Sequence, residues 1–380
     1  MRSLAWRPFR IPFRAGFATA RGTLTHREGW LVRLDAGDGL TGLGEAAPLA
    51  GHGPSGEAAG RPVPALLAEA RAALTGAPLE AVAAYVDGLA APGAAAAAVR
   101  CALDTALHDV LGRASGRPVA SLLAAVFRPA VPVNATVAAA GAEEAAAAAA
   151  AARDAGFRCI KLKVGMAPDP EAERARVAAV RSALGADVAL RLDANGAWSA
   201  AAAVRTIRTL EPYGIELVEQ PVPPGDPAAL RAVREAVAVP VAADEDITSE
   251  AAARRVLEAG AADVLVVKPA AVGGLRAGRR IAAMAAEAGA AALVTTMLEA
   301  GVGTAAALHL AAALPAGGPA CGLATLPLLA ASLVAEPPAV RDGAMALPPQ
   351  AGLGVTPDET QLAAFAGAAW EVAAGHAGGR

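Results

Sequence analysis

Residues 159–164, Cys-Ile-Lys-Leu-Lys-Val, form a short strand-like run in which two lysines stand two positions apart. An alanine-rich segment long enough to form a helix follows it. From about residue 130 to residue 325 the same unit, a short apolar run and then such a segment, is repeated. Short apolar runs are typical of strands covered on both faces, and repeated strand–helix units imply a parallel sheet.

Eight runs qualify as strands, and seven of them are followed by a segment that could hold a helix. Eight units in about 200 residues favour a (β/α)₈ barrel over an open, doubly wound sheet, so the predicted fold class is α/β. The strand candidates are Pro132–Val137, Cys159–Val164, Val188–Asp193, Ile215–Gln220, Pro240–Asp244, Asp263–Lys268, Ala291–Met297 and Cys321–Leu323.

The segments on either side of the barrel predict a second, smaller lobe. The first 50 residues predict strands, with Gly37, Gly39, Gly42 and Gly44 punctuating a meander of hairpins, and residues 62–125 change to helical patterns. The tail is too short for a separate domain, so we expect it to pack against the N-terminal lobe. The predicted boundaries are 1–128 for the N-terminal lobe, 129–325 for the barrel and 326–380 for the tail.

Composition excludes several classes of function. The chain has 380 residues and a formal net charge of −3, which disfavours nucleic-acid binding through a broad basic surface. No apolar run approaches the roughly 20 residues of a membrane span, and no signal-peptide core is present. Three scattered cysteines support neither a disulfide framework nor a thiolate zinc site. We therefore expect a cytoplasmic protein with a small-molecule partner; the sequence does not indicate an oligomeric state.

Ionisable residues recur at the C-terminal ends of the predicted strands, where barrel enzymes place their chemistry. From Lys161 the spacings to the next four are 32, 26, 25 and 24 residues, and a further 31 lead to Glu299. Each spacing is about one strand–helix unit, so these side chains should converge on one mouth. The residues are Lys161, Lys163, Asp193, Glu219, Asp244, Lys268 and Glu299.

The charges in this set predict a metal site. Lys161 and Lys163 are two apart on a strand and therefore share a face, here the barrel interior. Asp193, Glu219 and Asp244 would resist ionisation at one point without a cation, and a hard divalent ion bound by oxygens resolves this. Mg²⁺ suits three carboxylates, and Mn²⁺ is the alternative.

A single charged residue at a strand end is more often a salt-bridge partner or a helix cap. The six charged residues from Lys161 to Lys268 come from five successive strands and are hard to explain in that way, so we interpret the set as functional. Glu245 and Asp246 could either cap the next helix or support the site, and Asn195 could shape its loop or contact the metal region.

Other motifs are weaker. Residues 301–306, Gly-Val-Gly-Thr-Ala-Ala, partly match a dinucleotide fingerprint, but the expected acidic partner is missing, and a carboxylate-binding helix N-terminus starting at Gly301 is favoured. His309, in an alanine-rich helix, is expected to be structural, whereas His26 and His52 lie in predicted loops and could touch substrate.

The set as a whole resembles the muconate-lactonising-enzyme subgroup of the enolase superfamily. The resemblance covers essentially the whole chain. It includes Lys-x-Lys on the second strand, Asp, Glu and Asp on the third to fifth, Lys268 on the sixth, and the stretches Gly44–Leu49 and Lys268–Gly274.

This resemblance implies an α+β capping domain, built from the N-terminal lobe and the C-terminal tail, that closes over the barrel mouth. Two capping loops, about Phe17–Arg27 and Leu49–Ser55, would set specificity. It also implies abstraction of a proton α to a carboxylate, with Mg²⁺ stabilising the enediolate. Lys163 would be the base, Lys161 its neighbour, and Lys268 a second acid/base or an electrostatic stabiliser on the opposite side.

Within the subgroup, the stretches at residues 25–30, 44–49 and 320–326 look most like o-succinylbenzoate synthases of menaquinone biosynthesis, which are dehydratases. N-acylamino acid racemase is the main alternative, followed by cycloisomerase and dipeptide epimerase; no acid stands at residues 321–326 to hold a dipeptide's ammonium group. A non-catalytic barrel that binds an organic anion is the alternative of a different class. The candidate substrate-binding residues are Arg27, Asn195, Thr296, Glu299 and Gly301.

Overall fold

The computed structural model describes residues 1–19, 22–49, 61–90, 92–167, 169–367 and 369–371. Its strands are β1 (Ser3–Thr19), β2 (Gly22–Gly37), β3 (Leu40–Ala46), β4 (Ala130–Pro132), β5 (Ala135–Val137), β6 (Cys159–Lys163), β7 (Ala189–Asp193), β8 (Ile215–Glu219), β9 (Val241–Ala243), β10 (Val264–Val267), β11 (Ala291–Val294), β12 (Val340–Arg341) and β13 (Ala344–Ala346).

The helices alternate with the parallel strands from β5 onwards. They are α1 (Val63–Leu74), α2 (Glu80–Gly88), α3 (Ala94–Ser115), α4 (Ala120–Leu123), α5 (Ala142–Asp154), α6 (Pro170–Leu184), α7 (Ala200–Leu210), α8 (Pro227–Ala236), α9 (Glu250–Glu258), α10 (Pro269–Val272), α11 (Leu275–Glu287), α12 (Gly301–Ala312) and α13 (Glu359–Phe365).

Strands β5 to β11 form one parallel sheet in sequential order, and each is followed by at least one helix. Residues 321–322 close this sheet into a barrel. Cys321 bridges Val133, between β4 and β5, and Gly322 bridges Thr295, next to β11, both in parallel. The predicted barrel with a capping lobe is therefore confirmed, although the eighth candidate strand is reduced to two bridging residues.

The first candidate strand, Pro132–Val137, is divided between two sheets. Strand β5 enters the barrel, whereas β4 pairs in antiparallel fashion with β13 of the tail. Residues 133–134 connect them and hydrogen-bond to Cys321 and Gly343. The sequence cannot show this division because both halves are equally apolar.

Side-chain caps explain where several of the barrel helices begin. A side-chain oxygen accepts hydrogen bonds from backbone N–H groups of the first turn, and this fixes the loop between strand and helix. The capping residues are Asp169 for α6, Ser199 for α7, Asp226 for α8 and Ser249 for α9.

The N-terminal lobe is an antiparallel sheet, β1-β2-β3, that packs on α3. Two of the four glycines expected at hairpin turns lie inside β3 instead. A Cβ atom on Gly44 would stand 2.0 Å from the carbonyl oxygen of Ala102, and one on Gly42 would stand 2.1 Å from that of Ala106. These glycines let β3 lie directly against α3.

The predicted capping loops have two different outcomes. Most of Phe17–Arg27 belongs to the paired ends of β1 and β2, with Phe17 opposite Leu24 in the register, so this segment is a hairpin rather than an open loop. Its role in specificity stays a prediction. Leu49–Ser55 lies outside the described residues except for its first residue, and His52 lies outside them too.

The tail contacts the N-terminal lobe through β1. Phe9 bridges Ala366, Trp6 bridges Glu371, and the guanidinium of Arg33 lies 4.5 Å from the Trp370 ring centroid. One apolar core fills the barrel and reaches the middle of β1, and a second fills the lobe. No helix in the described part of the chain is long and apolar enough to cross a membrane.

Candidate active site

Six charged side chains line one side of the barrel mouth, and we call them the charged wall. Two lie on β6, two are the final residues of β7 and β8, and two directly follow β9 and β10. Because the strands are parallel, all six lie at the same end of the barrel. The charged wall consists of Lys161, Lys163, Asp193, Glu219, Asp244 and Lys268.

Salt bridges join these side chains into one network. Asp193 Oδ2 lies 2.9 Å from Lys161 Nζ and 2.6 Å from Lys163 Nζ, so both lysines of β6 point to the same face. Lys161 Nζ also lies 3.0 Å from Glu219 Oε1. On the far side of the network, Lys268 Nζ lies 2.7 Å from Asp244 Oδ2.

Burial makes these charges unusual. The side chains of Asp193 and Glu219 are at most 2% exposed. Burial raises the pKa of Glu219 to about 8, and the Asp193 and Asp244 carboxylates add to the effect. Burial also acts to raise the pKa of Asp193, but Lys161 and Lys163 hold it well below its usual range. Although burial opposes it, the surrounding carboxylates raise the pKa of Lys161.

All the lysines of the chain lie in the charged wall. The sequence contains 33 lysine and arginine residues, and only Lys161, Lys163 and Lys268 are lysines. Arginine cannot release its proton in a protein, whereas a lysine amine can lose and regain one. The chain thus uses lysine only where six charged groups meet, which is a signal that the sequence contains independently of strand spacing.

Asn195 connects the charged wall to Glu245. Its Oδ1 accepts a hydrogen bond from Lys163 Nζ at 2.7 Å, and its Nδ2 donates to Glu245 Oε1 at 3.0 Å. The backbone of Asn195 has φ of +44°, which Asn tolerates better than most residues, and its N–H donates to Asp193. Asn195 therefore shapes its loop and also contacts the site.

Asp246 and Gln220 support the mouth from behind. Asp246 Oδ2 accepts from Gln220 Nε2 at 2.8 Å, and Asp246 Oδ1 accepts from the Gly225 N–H at 2.7 Å. Gln220 Oε1 in turn accepts from the Asp244 N–H at 2.9 Å. Asp246 therefore anchors the loop after β9, and Gln220, which the sequence did not single out, fixes the backbone of Asp244.

The residues at the mouth fit a hard divalent cation in their chemistry. Three lysine amines face four carboxylates when Glu245 is included, and the carboxylate atoms that could bind a metal ion are all oxygens. Burial and Asp244 raise the pKa of Glu245 to about 7, and its Oε2 is buried without a hydrogen-bond partner. Here the lysines occupy the carboxylate oxygens, and among the described residues no three acidic, His or Cys side chains form a ready metal-binding group.

The loop after β11 forms the opposite side of the mouth. Because β11 is the seventh strand of the barrel sheet, we call residues 297–303 the seventh-strand loop. Thr296, just before it, hydrogen-bonds through its hydroxyl to that of Thr325 at 2.7 Å, on the far side of the barrel closure. Glu299 is buried and its Oε2 accepts from the Met297 N–H, so its carboxylate turns back into its own loop.

The N-terminus of α12 already binds a carboxylate, and that carboxylate belongs to the chain itself. Glu45 of β3 accepts from the N–H groups of Ala300 and Gly303, each at 2.8 Å. The Gly301 N–H donates to the Ser332 carbonyl at 2.8 Å. The expectation that this terminus would bind a substrate carboxylate through Gly301 is therefore wrong. Glu45 lay within a stretch that carried the resemblance, but its sequence gave no sign of this contact.

Arg27 is buried and its donors are directed to backbone carbonyls. Nε donates to Leu298 O at 3.1 Å, Nη1 donates to Pro48 O at 2.9 Å, and Nη2 donates to Ala47 O. A further bond from Nη1 reaches Glu28 O. These contacts hold the lobe to the barrel, and the predicted contact of Arg27 with substrate stays a prediction.

His26 and His309 lie outside the charged wall. His26 is on β2, where its Nδ1 contacts the exposed side chains of Arg10 and Thr25. His309 is fully buried in α12, where Nδ1 accepts from the Ala120 N–H and Nε2 contacts Leu353 O. Burial lowers the pKa of His309 to about 4, which agrees with the structural role expected for it.

Comparison with known proteins extends this description to a family. The chain matches the family "Enolase C-terminal domain-like" over residues 143–361. It also matches "Mandelate racemase / muconate lactonizing enzyme, N-terminal domain" over residues 4–124. The first match covers the barrel and the second covers the lobe.

Three individual proteins illustrate the range of relatives. An o-succinylbenzoate synthase from Thermobifida fusca is 44% identical over 211 residues, which are 55% of this chain and only 64% of that protein. The muconate lactonizing enzyme of Pseudomonas fluorescens, solved with muconolactone, is 31% identical with a TM-score of 0.88, and the match covers 96% of this chain and 98% of that one.

The third relative was solved with a metal. The dipeptide epimerase of Enterococcus faecalis, in complex with Mg and a dipeptide, is 29% identical with a TM-score of 0.84, and the match covers 93% of this chain and 99% of that one. From the two family matches and these relatives, the chain belongs to the muconate-lactonising subgroup of the enolase superfamily.

Proposed function

Starting from membership of this subgroup, we propose that the chain is a magnesium-dependent o-succinylbenzoate synthase. It would dehydrate 2-succinyl-6-hydroxy-2,4-cyclohexadiene-1-carboxylate, in menaquinone biosynthesis. The observation that carries the proton-transfer chemistry is that Lys163 and Lys268 stand on opposite sides of a buried carboxylate cluster, each within 2.7 Å of one of its oxygens. The two lysine amines would then face the two sides of one bound carboxylate substrate. The match to an o-succinylbenzoate synthase supports the choice of this reaction within the subgroup.

Lys163 would remove the proton α to the substrate carboxylate and return it to the departing hydroxyl on the same face. A base has to be held still with respect to the carbon that it attacks, and Asp193 and Asn195 hold the Lys163 amine from two directions. Lys268 would stay protonated and stabilise the enediolate, because nearby carboxylates raise its pKa although burial opposes it. Loss of the hydroxyl makes the ring aromatic, which drives the reaction.

Asp193, Glu219 and Asp244 would hold the magnesium ion, with Glu245 beside them. When bound, the ion would supply positive charge close to the substrate carboxylate, which makes the α-proton more acidic. It would also balance the charge of the mouth, where four carboxylates, Glu245 included, face only three lysines.

The residues after β11 support a dehydratase over a dipeptide epimerase. Residues 321–326, Cys-Gly-Leu-Ala-Thr-Leu, contain no acid, and they close the barrel beside Thr296. A dipeptide's ammonium group would have no partner from this segment, and an unpaired buried charge is strongly unfavourable.

N-acylamino acid racemase is the second candidate, and a specific observation favours it. Racemisation needs one amine on each face of the substrate, and Lys163 and Lys268 are separated by the carboxylates in that way. The two reactions differ in what Lys268 has to do. In a racemase it must give and take a proton, whereas in the synthase its charge is sufficient.

Parallel assays distinguish these functions. Metal-stripped protein with Mg²⁺ added back would be given the cyclohexadiene carboxylate, an N-succinylamino acid and cis,cis-muconate separately. The synthase proposal predicts turnover of the first substrate at the highest kcat/KM. Racemisation or cycloisomerisation without dehydration would contradict it. Binding of all three without turnover, and without exchange of α-protons in deuterated water, would favour the non-catalytic barrel.

The metal can be tested without any substrate. Protein labelled with ¹³C and ¹⁵N in lysine gives signals from only three side chains, and all three lie in the charged wall. We expect saturable shifts of the Lys161, Lys163 and Lys268 signals on addition of Mg²⁺, and none with the same concentration of Na⁺. Unchanged signals at millimolar Mg²⁺ would contradict the metal assignment.

A further inference from the structure

The seventh-strand loop lies close to Lys268. Met297 packs in a small apolar cluster with Ala270 and Ala271, which follow Lys268 in the chain, and with Cys101 of α3. The positive charge of Lys268 is also near enough to lower the pKa of Glu299, although burial raises it overall. A change in the conformation of this loop would therefore alter the mouth directly beside Lys268.

The loop contains few contacts that would hold it in place by itself. Leu298 has φ of +65°, a left-handed conformation that costs a leucine on the order of 1 kcal/mol or more. The N-terminus of α12 begins in the loop, and its first N–H groups lack partners within the helix. Within the loop, the Glu299 carboxylate accepts from the Met297 N–H.

Groups from the capping lobe supply what the loop lacks. Arg27 of β2 donates to the carbonyl of the strained Leu298, and Glu45 of β3 accepts from Ala300 and Gly303. These bonds join residues 271, 255 and 258 positions apart in the sequence. Both ends of the loop are therefore held by the lobe.

Arg27 and Glu45 also depend on each other. Arg27 donates to the carbonyls of Ala47 and Pro48, which lie two and three residues after Glu45, and these bonds hold the chain where β3 ends. Its charge lies close to the buried carboxylates of Glu45 and Glu299 and favours their ionised forms. The loss of either residue would weaken the position of the other.

We infer that Arg27 and Glu45 act as a single strut, by which the capping lobe sets the conformation of the seventh-strand loop and thereby the shape of the mouth beside Lys268. They are positioning residues that act through residues 297–303. The inference goes beyond the proposed function, because the strut would set the mouth for any substrate of the charged wall.

Hydrogen–deuterium exchange tests the strut without any substrate. The variants are Arg27→Lys, Glu45→Gln and the double variant, and Glu28→Gln is the matched control, since Glu28 lies on the same strand but is exposed and paired with Arg10. We expect the amides of residues 297–304 to exchange at least tenfold faster in each single variant, with the amides of β7 unchanged and the control identical to wild type.

The double variant distinguishes one strut from two separate contacts. If Arg27 and Glu45 act as a unit, exchange in the double variant will be no more than about threefold faster than in the quicker single variant. If the increases in exchange rate of the two single variants multiply in the double variant, the two residues act separately and the proposal of a unit is overturned. Unchanged exchange at residues 297–304, or an equal increase throughout the barrel, would overturn the strut itself.

Kinetics with the cyclohexadiene carboxylate provide a second readout. A misplaced loop should raise KM at least fivefold and change kcat less than threefold, whereas general destabilisation lowers the active fraction and therefore kcat. A fall in kcat at constant KM would contradict the positioning role. If wild-type protein does not turn over this substrate, the proposed function fails, and the exchange experiment still decides the strut.

Discussion

On one side of the barrel mouth, strands β6 to β10 carry lysines and carboxylates directly into the interior, where they pair with one another over 2.6–3.0 Å. On the other side, the seventh-strand loop carries a single buried carboxylate, and its backbone is held by Arg27 and Glu45 from the capping lobe. The first side consists of residues whose positions the strands fix. The second depends on contacts between two parts of the chain that are far apart in sequence.

We relate the first side to catalysis and the second to the selection of substrates. A proton-transfer site requires side chains fixed to within a few tenths of an ångström, and side chains on strand ends provide that. A surface that selects among substrates can vary more, and loops placed by a rigid scaffold commonly have this function. We therefore expect substitutions in the charged wall to change rates most, and substitutions around the loop to change stability and substrate binding.

The largest effect is expected at the base. Lys163→Ala should lower kcat for dehydration about a thousandfold, because a positioned general base contributes on the order of 10²–10⁴ in rate. Steady-state kinetics with Mg²⁺ present measure this loss. Arg174→Ala, which removes an exposed cation paired with Glu171, is the control and should keep wild-type activity. A Lys163→Ala enzyme within tenfold of wild type would remove Lys163 from the role of base.

A pH effect on stability should arise from the loop side through Glu45. Burial raises the pKa of Glu45 to about 7, and the charge of Glu299 is the next cause. Between the ordinary pKa of 4.5 and this value, the folded protein keeps a proton that the unfolded chain has already released. The stability from this group is complete below about pH 4.5 and decreases as the pH rises through 7. The loss amounts to about 3 kcal/mol at most.

Urea denaturation at pH 5 and pH 8 measures this effect. The difference in unfolding free energy between the two pH values should shrink in Glu45→Gln and stay unchanged in Glu28→Gln. An unaltered pH dependence in Glu45→Gln would show that Glu45 is ionised throughout this range.

A methyl group placed against the loop should destabilise the fold. A Cβ atom on Gly303 would stand 2.5 Å from Glu299 Cβ and 3.2 Å from Glu45 Oε2, so Gly303→Ala forces both carboxylates to move. We expect a loss of about 1–3 kcal/mol in thermal or urea unfolding, as for other overpacked sites. Gly318→Ala is the control, since the nearest heavy atom to its Cβ is 3.8 Å away. Equal stability of the two variants would contradict the tight packing around Gly303.

The smallest effect should come from Lys268→Arg. The arginine keeps the positive charge but cannot exchange its proton, so dehydration should fall only about tenfold, or about 1.4 kcal/mol in barrier. Racemisation of an N-succinylamino acid, assayed in parallel, should be lost entirely. A complete loss of dehydration would mean that Lys268 transfers a proton in that reaction too.

The same comparison explains how far the sequence could lead. The charged wall was predictable because its residues lie at or near strand ends, and the spacing of about one strand–helix unit identifies the shared mouth. The barrel and the convergence of Lys161, Lys163 and Asp193 follow from that period alone. The restriction of lysine to three positions is a further signal of the same kind.

The loop side was not predictable, because its partners are set by how the lobe folds onto the barrel. The Gly301 region correctly suggested a helix N-terminus that binds a carboxylate, but no local pattern could show that Glu45 already occupies it. Arg27 looked like a substrate ligand for the same reason. The eighth strand consists of only two bridging residues. Residues 321–322 complete the backbone hydrogen bonds between the first and seventh strands of the barrel, and no longer strand is needed for this.

The most direct test of the central claim is the rate of dehydration of the cyclohexadiene carboxylate by metal-stripped protein before and after Mg²⁺ is restored. The account predicts negligible turnover without the metal and full recovery with it, provided that Lys163 is present. Turnover that is equally fast without a divalent cation, or that persists in Lys163→Ala, would contradict the proposal that the charged wall is a magnesium-dependent proton-transfer site.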